Sequence, residues 1–140
     1  MATSLVVDAS FTFRLILPGP QQNRCQVLMT QWEQAGYKLY APTLWLYEIT
    51  SALAKTVHLD ALIATEAQQA LQLAQRLNLQ LIHPDENLTQ SALEWTFRLQ
   101  RAAAYDSFYL ALAETLAAEF WTADKRLHNA VSASWVHLLK

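Results

Sequence analysis

Four acidic residues are the side chains of this sequence best suited to do chemistry. They are Asp8, Glu48, Asp106 and Asp124. The four stand among mostly apolar or small neighbours, and Glu48 is the only charged residue between Lys38 and Lys55. A carboxylate that is buried alone is costly, so several buried together imply either a bound cation or carboxyl groups with raised pKa values.

Two of these acids also have an ordinary structural explanation. Asp106 and Asp124 fall at the predicted starts of helices, where an acidic side chain caps backbone N–H groups and interacts favourably with the helix dipole. Considered singly, each is better explained as a helix-start residue than as a functional one. The functional hypothesis therefore depends on the four acids as a set.

The elements that would position the acids alternate between strands and helices. Short apolar runs predict strands over residues 5–7, 38–41, 79–83, 119–122 and 135–139. Helical spacing of apolar residues predicts helices over 11–17, 22–35, 42–55, 60–77, 87–101, 105–118 and 123–131. This alternation, with few hairpin signals, predicts a three-layer α/β/α sandwich with a central, mainly parallel sheet. The length predicts a single domain over residues 1–140.

The predicted sheet places the acids near one edge. Ligands of parallel sheets bind at the carboxyl ends of the strands, where the connections leave a crevice. Asp8 ends the first predicted strand, and Asp124 follows the fourth. Asp106 lies in the first turn of a predicted helix, and Glu48 lies within the helix that follows the second strand.

Composition excludes several classes of protein. The chain is 53% hydrophobic and 16% charged, which excludes global disorder. A net charge of -2 counts against a nucleic-acid binder that depends mainly on counterion release. One cysteine, Cys25, excludes an internal disulfide, and two glycines exclude the Gly-rich dinucleotide and P-loop motifs. We expect a soluble, cytoplasmic protein with no membrane partner, because no apolar stretch is long enough to span a bilayer.

Four segments, taken in order, resemble a known family. They are residues 6–10, 42–53, 105–114 and 121–127, with the sequences VVDAS, PTLWLYEITSAL, YDSFYLALAE and WTADKRL. Together they are similar to the PIN domain, and most of all to the VapC-type ribonuclease toxins of bacterial toxin–antitoxin modules. The resemblance extends over essentially the whole chain, so it implies a PIN-like fold.

The resemblance also implies a site and a reaction. In that family the acids matching Asp8, Glu48, Asp106 and Asp124 hold Mg²⁺ or Mn²⁺, for which oxygen ligands are suited. The hydroxyl residues matching Ser10 and Thr122 orient ligands or metal-bound water, so all six are expected catalytic residues. The implied activity is metal-dependent endonucleolytic hydrolysis of RNA, leaving 5′-phosphate and 3′-hydroxyl ends. The implied partners are an RNA substrate, a cognate antitoxin that covers the groove, and a second copy of the chain in a homodimer.

Some details of the sequence depart from the family or leave alternatives open. The family often has glycine just before its fourth strand, whereas residues 116–119 are LAAE here, which leaves the geometry of that turn open. Glu114 either reaches the metal through water or faces solvent, and the second is favoured. Five basic residues near the acids are candidates for phosphate contacts, and surface charge explains each equally well: Arg14, Arg98, Arg101, Lys125 and Arg126.

Two other functions remain as alternatives. A receiver-like signalling domain also gathers acids and Mg²⁺ at the edge of a parallel sheet, but it needs a pair of acids at the first strand. Here that strand offers only Asp8, and the third strand runs into Asp85 as the candidate phosphorylation site. The second alternative is a non-catalytic PIN-like module that binds RNA or protein.

Overall fold

A five-stranded sheet in which every strand pair is parallel forms the centre of the fold. The computed structural model describes residues 3–140. The strands are β1 (Ser4–Val7), β2 (Lys38–Pro42), β3 (Leu79–Ile82), β4 (Glu119–Thr122) and β5 (Val136–Leu138). Their spatial order is β3-β2-β1-β4-β5.

Within residues 3–140, seven helices accompany the strands. They are α1 (Ala9–Ile16), α2 (Gln22–Gln34), α3 (Leu44–His58), α4 (Ala64–Gln75), α5 (Glu86–Leu99), α6 (Tyr105–Thr115) and α7 (Lys125–Val131). Side chains alternate along a strand, so Val6 of β1 packs with α3, α5 and α6 on one face of the sheet, while Leu5 and Val7 pack against α2 on the other. The predicted three-layer α/β/α sandwich with a central parallel sheet is confirmed.

The topology creates a crevice next to β1. Strands β2 and β3 follow β1 on one side of the sheet, and β4 and β5 lie on the other side of β1. Connections leave in opposite directions at this point, and in open α/β sheets this is where ligands bind. Asp8 follows β1 and Asp124 lies two residues beyond the end of β4, so both acids border the crevice.

One helix begins later than its periodicity predicts. The periodicity predicts a helix over residues 60–77, but α4 starts at Ala64. Asp60 has a left-handed backbone with φ 60, and its N–H donates to the carbonyl of Val57, which closes the end of α3 instead. The side chain of Glu66 accepts the N–H of Ile63, the residue just before α4. This bond fixes the start of the helix at Ala64.

The turn before β4 is made without glycine. Ala117 adopts a left-handed backbone with φ 51, the conformation that glycine usually supplies after a helix. The N–H of Ala118 donates to the carbonyl of Ala113 at 2.8 Å, which closes the end of α6. The chain therefore makes this turn with an alanine, at a conformational cost of about 1 kcal/mol.

Candidate active site

Asp8 is the most deeply buried acid of the crevice, with only 4% of its surface exposed. It caps the start of α1, and its Oδ1 accepts the N–H of Phe11 at 2.9 Å and the hydroxyl of Ser10 at 2.6 Å. Its Oδ2 accepts the hydroxyl of Thr122. Burial raises the pKa of Asp8 to about 6, although these three hydrogen bonds oppose the increase.

Hydrogen bonds of Ser10 and Thr122 connect the end of β1 to the end of β4. The N–H of Ala123 donates to Ser10 Oγ at 2.9 Å, and the N–H of Asp124 donates to Thr122 Oγ1 at 3.0 Å. The two hydroxyl oxygens lie 3.2 Å apart. Because both hydroxyls also donate to Asp8, they fix the orientation of its carboxylate.

A buried tryptophan places α3, the helix that carries Glu48, against the start of α1. The indole Nε1 of Trp45 donates to Thr12 Oγ1 at 2.8 Å, and Thr12 donates in turn to the backbone carbonyl of Asp8 at 3.0 Å. Trp45 and Glu48 are three residues apart on α3, so they lie on neighbouring positions of one helix face. This chain of bonds brings Glu48 towards Asp8.

Glu48 has a partner that sequence reasoning did not identify. Tyr109 is 1% exposed, and its hydroxyl donates to Glu48 Oε1 at 2.6 Å. Burial raises the pKa of Glu48, and the bond from Tyr109 opposes that increase. Burial and then the charge of Glu48 raise the pKa of the Tyr109 hydroxyl far above its usual value, so Tyr109 remains the donor. Its position three residues after Asp106 on α6 was the available signal.

The other two acids occupy helix starts, as the structural alternative expected, but only one of them caps its helix. Asp124 Oδ1 accepts the N–H groups of Arg126 and Leu127 at the start of α7. Asp106 lies in the first turn of α6, and its Oδ2 pairs with Nη1 of Arg101 at 2.8 Å. Burial raises the pKa of Asp106, and the guanidinium of Arg101 opposes this most strongly.

Three of the acids line one open cleft of about 510 Å³. Its lining comprises Glu48, Arg101, Ala102, Ala103, Tyr105, Asp106, Asp124 and Arg126. Electrostatic repulsion links these acids to Asp8, because the charge of Asp106 raises the pKa of both Asp8 and Glu48, and that of Asp124 raises the pKa of Asp106. The structure therefore brings together all six residues predicted from the sequence, with Ser10 and Thr122 bonded to Asp8.

The oxygen donors in the cleft and around the adjacent Asp8 fit a hard divalent cation. All six residues offer carboxylate or hydroxyl oxygens, and the guanidinium of Arg101 already balances one of the acids. Among residues 3–140, no three Asp, Glu, His or Cys side chains are close enough to enclose a metal ion. Mg²⁺ needs no such enclosure, because it is usually bound by one or two carboxylates together with water and substrate phosphates.

The remaining candidate acids lie elsewhere. Glu114 is exposed, accepts the indole N–H of Trp95 at 3.3 Å and lines a separate hollow with Glu119, so the interpretation as an outward-facing residue is favoured. Asp85 follows β3 at the far edge of the sheet, and its Oδ1 caps α5 through the N–H of Leu88 at 2.8 Å. Because β2 separates β3 from β1, this arrangement disfavours the receiver-like alternative.

The fold and the site match one family of proteins. A model of the PIN domain family matches residues 5–132, and the chain belongs to that family. Within it, the chain is 33% identical over 129 residues to VapC ribonuclease Mb0985 of Mycobacterium bovis, covering 92% of each protein. The same identity and coverage relate it to ribonuclease VapC9 of Mycobacterium tuberculosis. The resemblance stated from the four sequence segments is thereby confirmed.

Solved structures agree on the fold at low sequence identity. VapC20 of Mycobacterium tuberculosis, a sarcin–ricin loop cleaving toxin, superimposes with a TM-score of 0.69 at 16% identity, over 97% of this chain and 99% of that one. A chain of a toxin–antitoxin complex from Klebsiella pneumoniae gives a TM-score of 0.71 at 12% identity, over 97% and 98%. At such identities the match concerns the architecture alone. No helix within residues 3–140 has the length and hydrophobicity needed to cross a membrane.

Proposed function

We propose that this chain, as a single domain over residues 1–140, is a divalent-metal-dependent endoribonuclease and the toxin of a toxin–antitoxin pair. The observation that carries the proposal is the convergence of Asp8, Glu48, Asp106 and Asp124 on one crevice beside β1. The names of the 33% identical relatives support ribonuclease activity. The expected metal is Mg²⁺, with Mn²⁺ as a substitute.

The six site residues divide into ligands and positioning residues. The carboxylates of Asp8, Glu48, Asp106 and Asp124 would hold the metal. When bound, such a metal supplies a water of lowered pKa and neutralises charge on a phosphodiester during in-line displacement. Ser10 and Thr122 keep the carboxylate of Asp8 in a fixed orientation, and Tyr109 holds the carboxylate of Glu48, which lines the cleft, through one of its oxygens. The expected products carry 5′-phosphate and 3′-hydroxyl ends.

The charge of the chain is compatible with a selective nuclease. The net charge is -2, and four of the 12 acids belong to the site, so the remaining surface carries 8 acids against 10 basic residues. A nearly neutral surface binds nucleic acid weakly without the help of the site. RNA recognition would therefore depend on the metal and on the shape of the cleft.

An apolar groove next to the cleft is where we place the antitoxin. The groove has a volume of about 580 Å³ and shares Ser10 and Glu48 with the acid site. Phe13, Leu17 and Ala52 provide apolar surface there, which suits an apolar segment of a partner protein. Several structures of similar fold are complexes named toxin–antitoxin or VapBC. A segment seated in this groove would also obstruct access to Glu48.

The oligomeric state and the compartment complete the proposal. Large side chains lie exposed near the start of α6 and along α5, among them Phe97 and Tyr105. Exposed apolar groups of this kind favour an interface, and we retain the homodimer as our expectation. The buried, unpaired thiol of Cys25 suits a reducing compartment, so we place the reaction in the cytoplasm.

Cleavage of RNA by purified variants tests the proposed function. Asp8→Asn and Asp106→Asn each remove one negative charge while keeping the shape of the side chain. We expect wild-type protein to cleave RNA in Mg²⁺ and not in EDTA, and both variants to lose cleavage and any growth arrest on expression. Asp85→Asn is the matched control, because it makes the same change at a helix cap outside the cleft. Full cleavage by both Asp8→Asn and Asp106→Asn contradicts the proposal.

A further inference from the structure

Arg101 forms an ion pair with an acid of the cleft. Within residues 3–140, it is the only lysine or arginine side chain within 4.0 Å of a carboxylate oxygen. Its partner is Asp106, at 2.8 Å between Nη1 and Oδ2, and both side chains are about one-third exposed. The chain has ten basic residues, and the one that pairs in this way does so with an acid of the cleft.

The backbone holds Arg101 beside the cleft. Gln100 ends α5 in a left-handed conformation, and the N–H of Arg101 donates to the carbonyl of Thr96 at 3.2 Å. The hydroxyl oxygens of Thr96 and Ser107 lie 2.8 Å apart in a buried hydrogen bond between α5 and α6. Arg101 and Asp106 are thus anchored to two helices that are fastened to each other, and their pairing follows from the fold.

The other basic candidates are engaged differently. The guanidinium of Arg98 lies over the ring of Trp95, 3.8 Å from its centroid. Arg14 lines the apolar groove, and Arg126 lines the acid cleft without an ion pair among the described residues. Of the five, Arg101 alone both lines the cleft and, in the part of the chain that the structure describes, forms an ion pair with one of its acids.

The ion pair between Arg101 and Asp106 competes with the proposed binding of a metal by Asp106. A divalent cation bound by Asp106 would take the carboxylate that Arg101 now holds. The displaced guanidinium would stay beside the cleft, because its backbone is fixed. A guanidinium presents a planar fork of donors that matches the oxygens of a phosphate group.

We propose that Arg101 changes partners during the reaction: it neutralises Asp106 until the metal binds and then binds the phosphate of the RNA substrate. This inference rests on the proposed function and adds a phosphate-binding residue to it. It also predicts that a substitution of Arg101 changes two affinities in opposite directions. Without the guanidinium, the metal has no competitor for Asp106 and binds more tightly, whereas the RNA loses a hydrogen-bond donor and binds more weakly.

The test compares Arg101→Gln and Arg101→Lys with wild type. Arg24→Gln on the exposed surface of α2 is the matched control, because it changes the net charge equally outside the cleft. Mn²⁺ binding is measured by calorimetry at pH 8, and kcat and KM are measured on an RNA oligonucleotide at saturating metal. Unfolding curves confirm that each variant is folded.

We expect Arg101→Gln to bind Mn²⁺ about three-fold more tightly, the effect of removing one partly exposed ion pair. Its kcat/KM should fall about 10- to 100-fold, mainly through KM, as for a lost charge-assisted hydrogen bond. Arg101→Lys should keep the wild-type Mn²⁺ affinity and recover part of the activity. A merely structural role for Arg101 would instead weaken metal binding or leave both quantities unchanged, and either result overturns the proposal.

The two proposals fail in distinguishable ways. Wild-type protein that binds Mn²⁺ but cleaves no RNA contradicts the proposed ribonuclease function. The Mn²⁺ titrations then still decide whether the metal and Arg101 compete for Asp106: tighter binding by Arg101→Gln supports this competition, and equal or weaker binding overturns it together with the change of partners. Active wild-type protein with an unaltered kcat/KM in Arg101→Gln overturns the inference about Arg101 alone.

Discussion

Replacing Asp8 by asparagine should stabilise the metal-free protein at neutral pH while it removes activity. Asp8 is 4% exposed, and burial raises the pKa of its carboxyl group from 3.8 to about 6. The folded state therefore binds this proton more tightly than the unfolded chain does. Above the folded pKa the carboxyl group is ionised in both states. Folding then buries a negative charge, which lowers the free energy of unfolding.

The magnitude follows from the shift in pKa. A ten-fold change in proton affinity corresponds to about 1.4 kcal/mol, so raising the pKa from 3.8 to about 6 lowers the free energy of unfolding by about 3 kcal/mol at pH 7 and above. The penalty decreases as the pH falls through about 6 and disappears below about 4, where both states are protonated. An asparagine has no charge to bury. Its amide oxygen can still accept the N–H of Phe11 that caps α1, and its amide nitrogen can donate to Thr122 Oγ1 in place of the bond that Asp8 accepts from that hydroxyl.

Urea unfolding followed by tryptophan fluorescence measures the difference between the two proteins. In EDTA at pH 7.5, Asp8→Asn should be the more stable by about 3 kcal/mol, and the difference should vanish near pH 4. Saturating Mg²⁺ should narrow the gap, because a ligand that binds only the folded wild type stabilises it. A variant that is equally or less stable at pH 7.5, or a difference independent of pH, would refute the reasoning.

Three further predictions concern the metal and the turn before β4. Tyr109→Phe removes the hydroxyl that holds Glu48 and should weaken Mn²⁺ binding about ten-fold by calorimetry, whereas unchanged affinity would show that Glu48 needs no such support. Mg²⁺ affinity should fall about ten-fold per pH unit below about 6, since protons then compete for Asp8, and a flat profile from pH 5 to 8 would contradict the raised pKa. Ala117→Gly should increase the free energy of unfolding by about 1 kcal/mol in urea, since glycine adopts the left-handed backbone without cost, and a decrease would argue against strain there.

Local pattern was sufficient to predict the architecture of this chain. The strands are short apolar runs between helices with one apolar face, and every predicted element is present. The largest error, the start of α4, came from extending a helical pattern back through Ile63, which is exposed and precedes the helix. The start of the helix is decided instead by Glu66, whose side chain accepts the N–H of Ile63.

The candidate site could be predicted only in part. Asp8 and Asp124 follow strands, so their positions are determined by the order of elements along the chain. Tyr109 and Glu48 are 61 residues apart, and no periodicity in the sequence relates them. The same holds for Arg101, which is one of five basic residues that the sequence could not rank. Such pairings depend on how the helices pack, and the structure was needed to find them.

Anomalous scattering from crystals soaked in Mn²⁺ tests the central claim most directly, because it locates the metal without reference to activity. We predict an anomalous peak in the cleft within coordination distance of carboxylate oxygens, Asp106 among them, and its loss in crystals of Asp106→Asn. Crystals of a protein shown to cleave RNA in Mn²⁺ that contain no peak at this cleft would contradict the account.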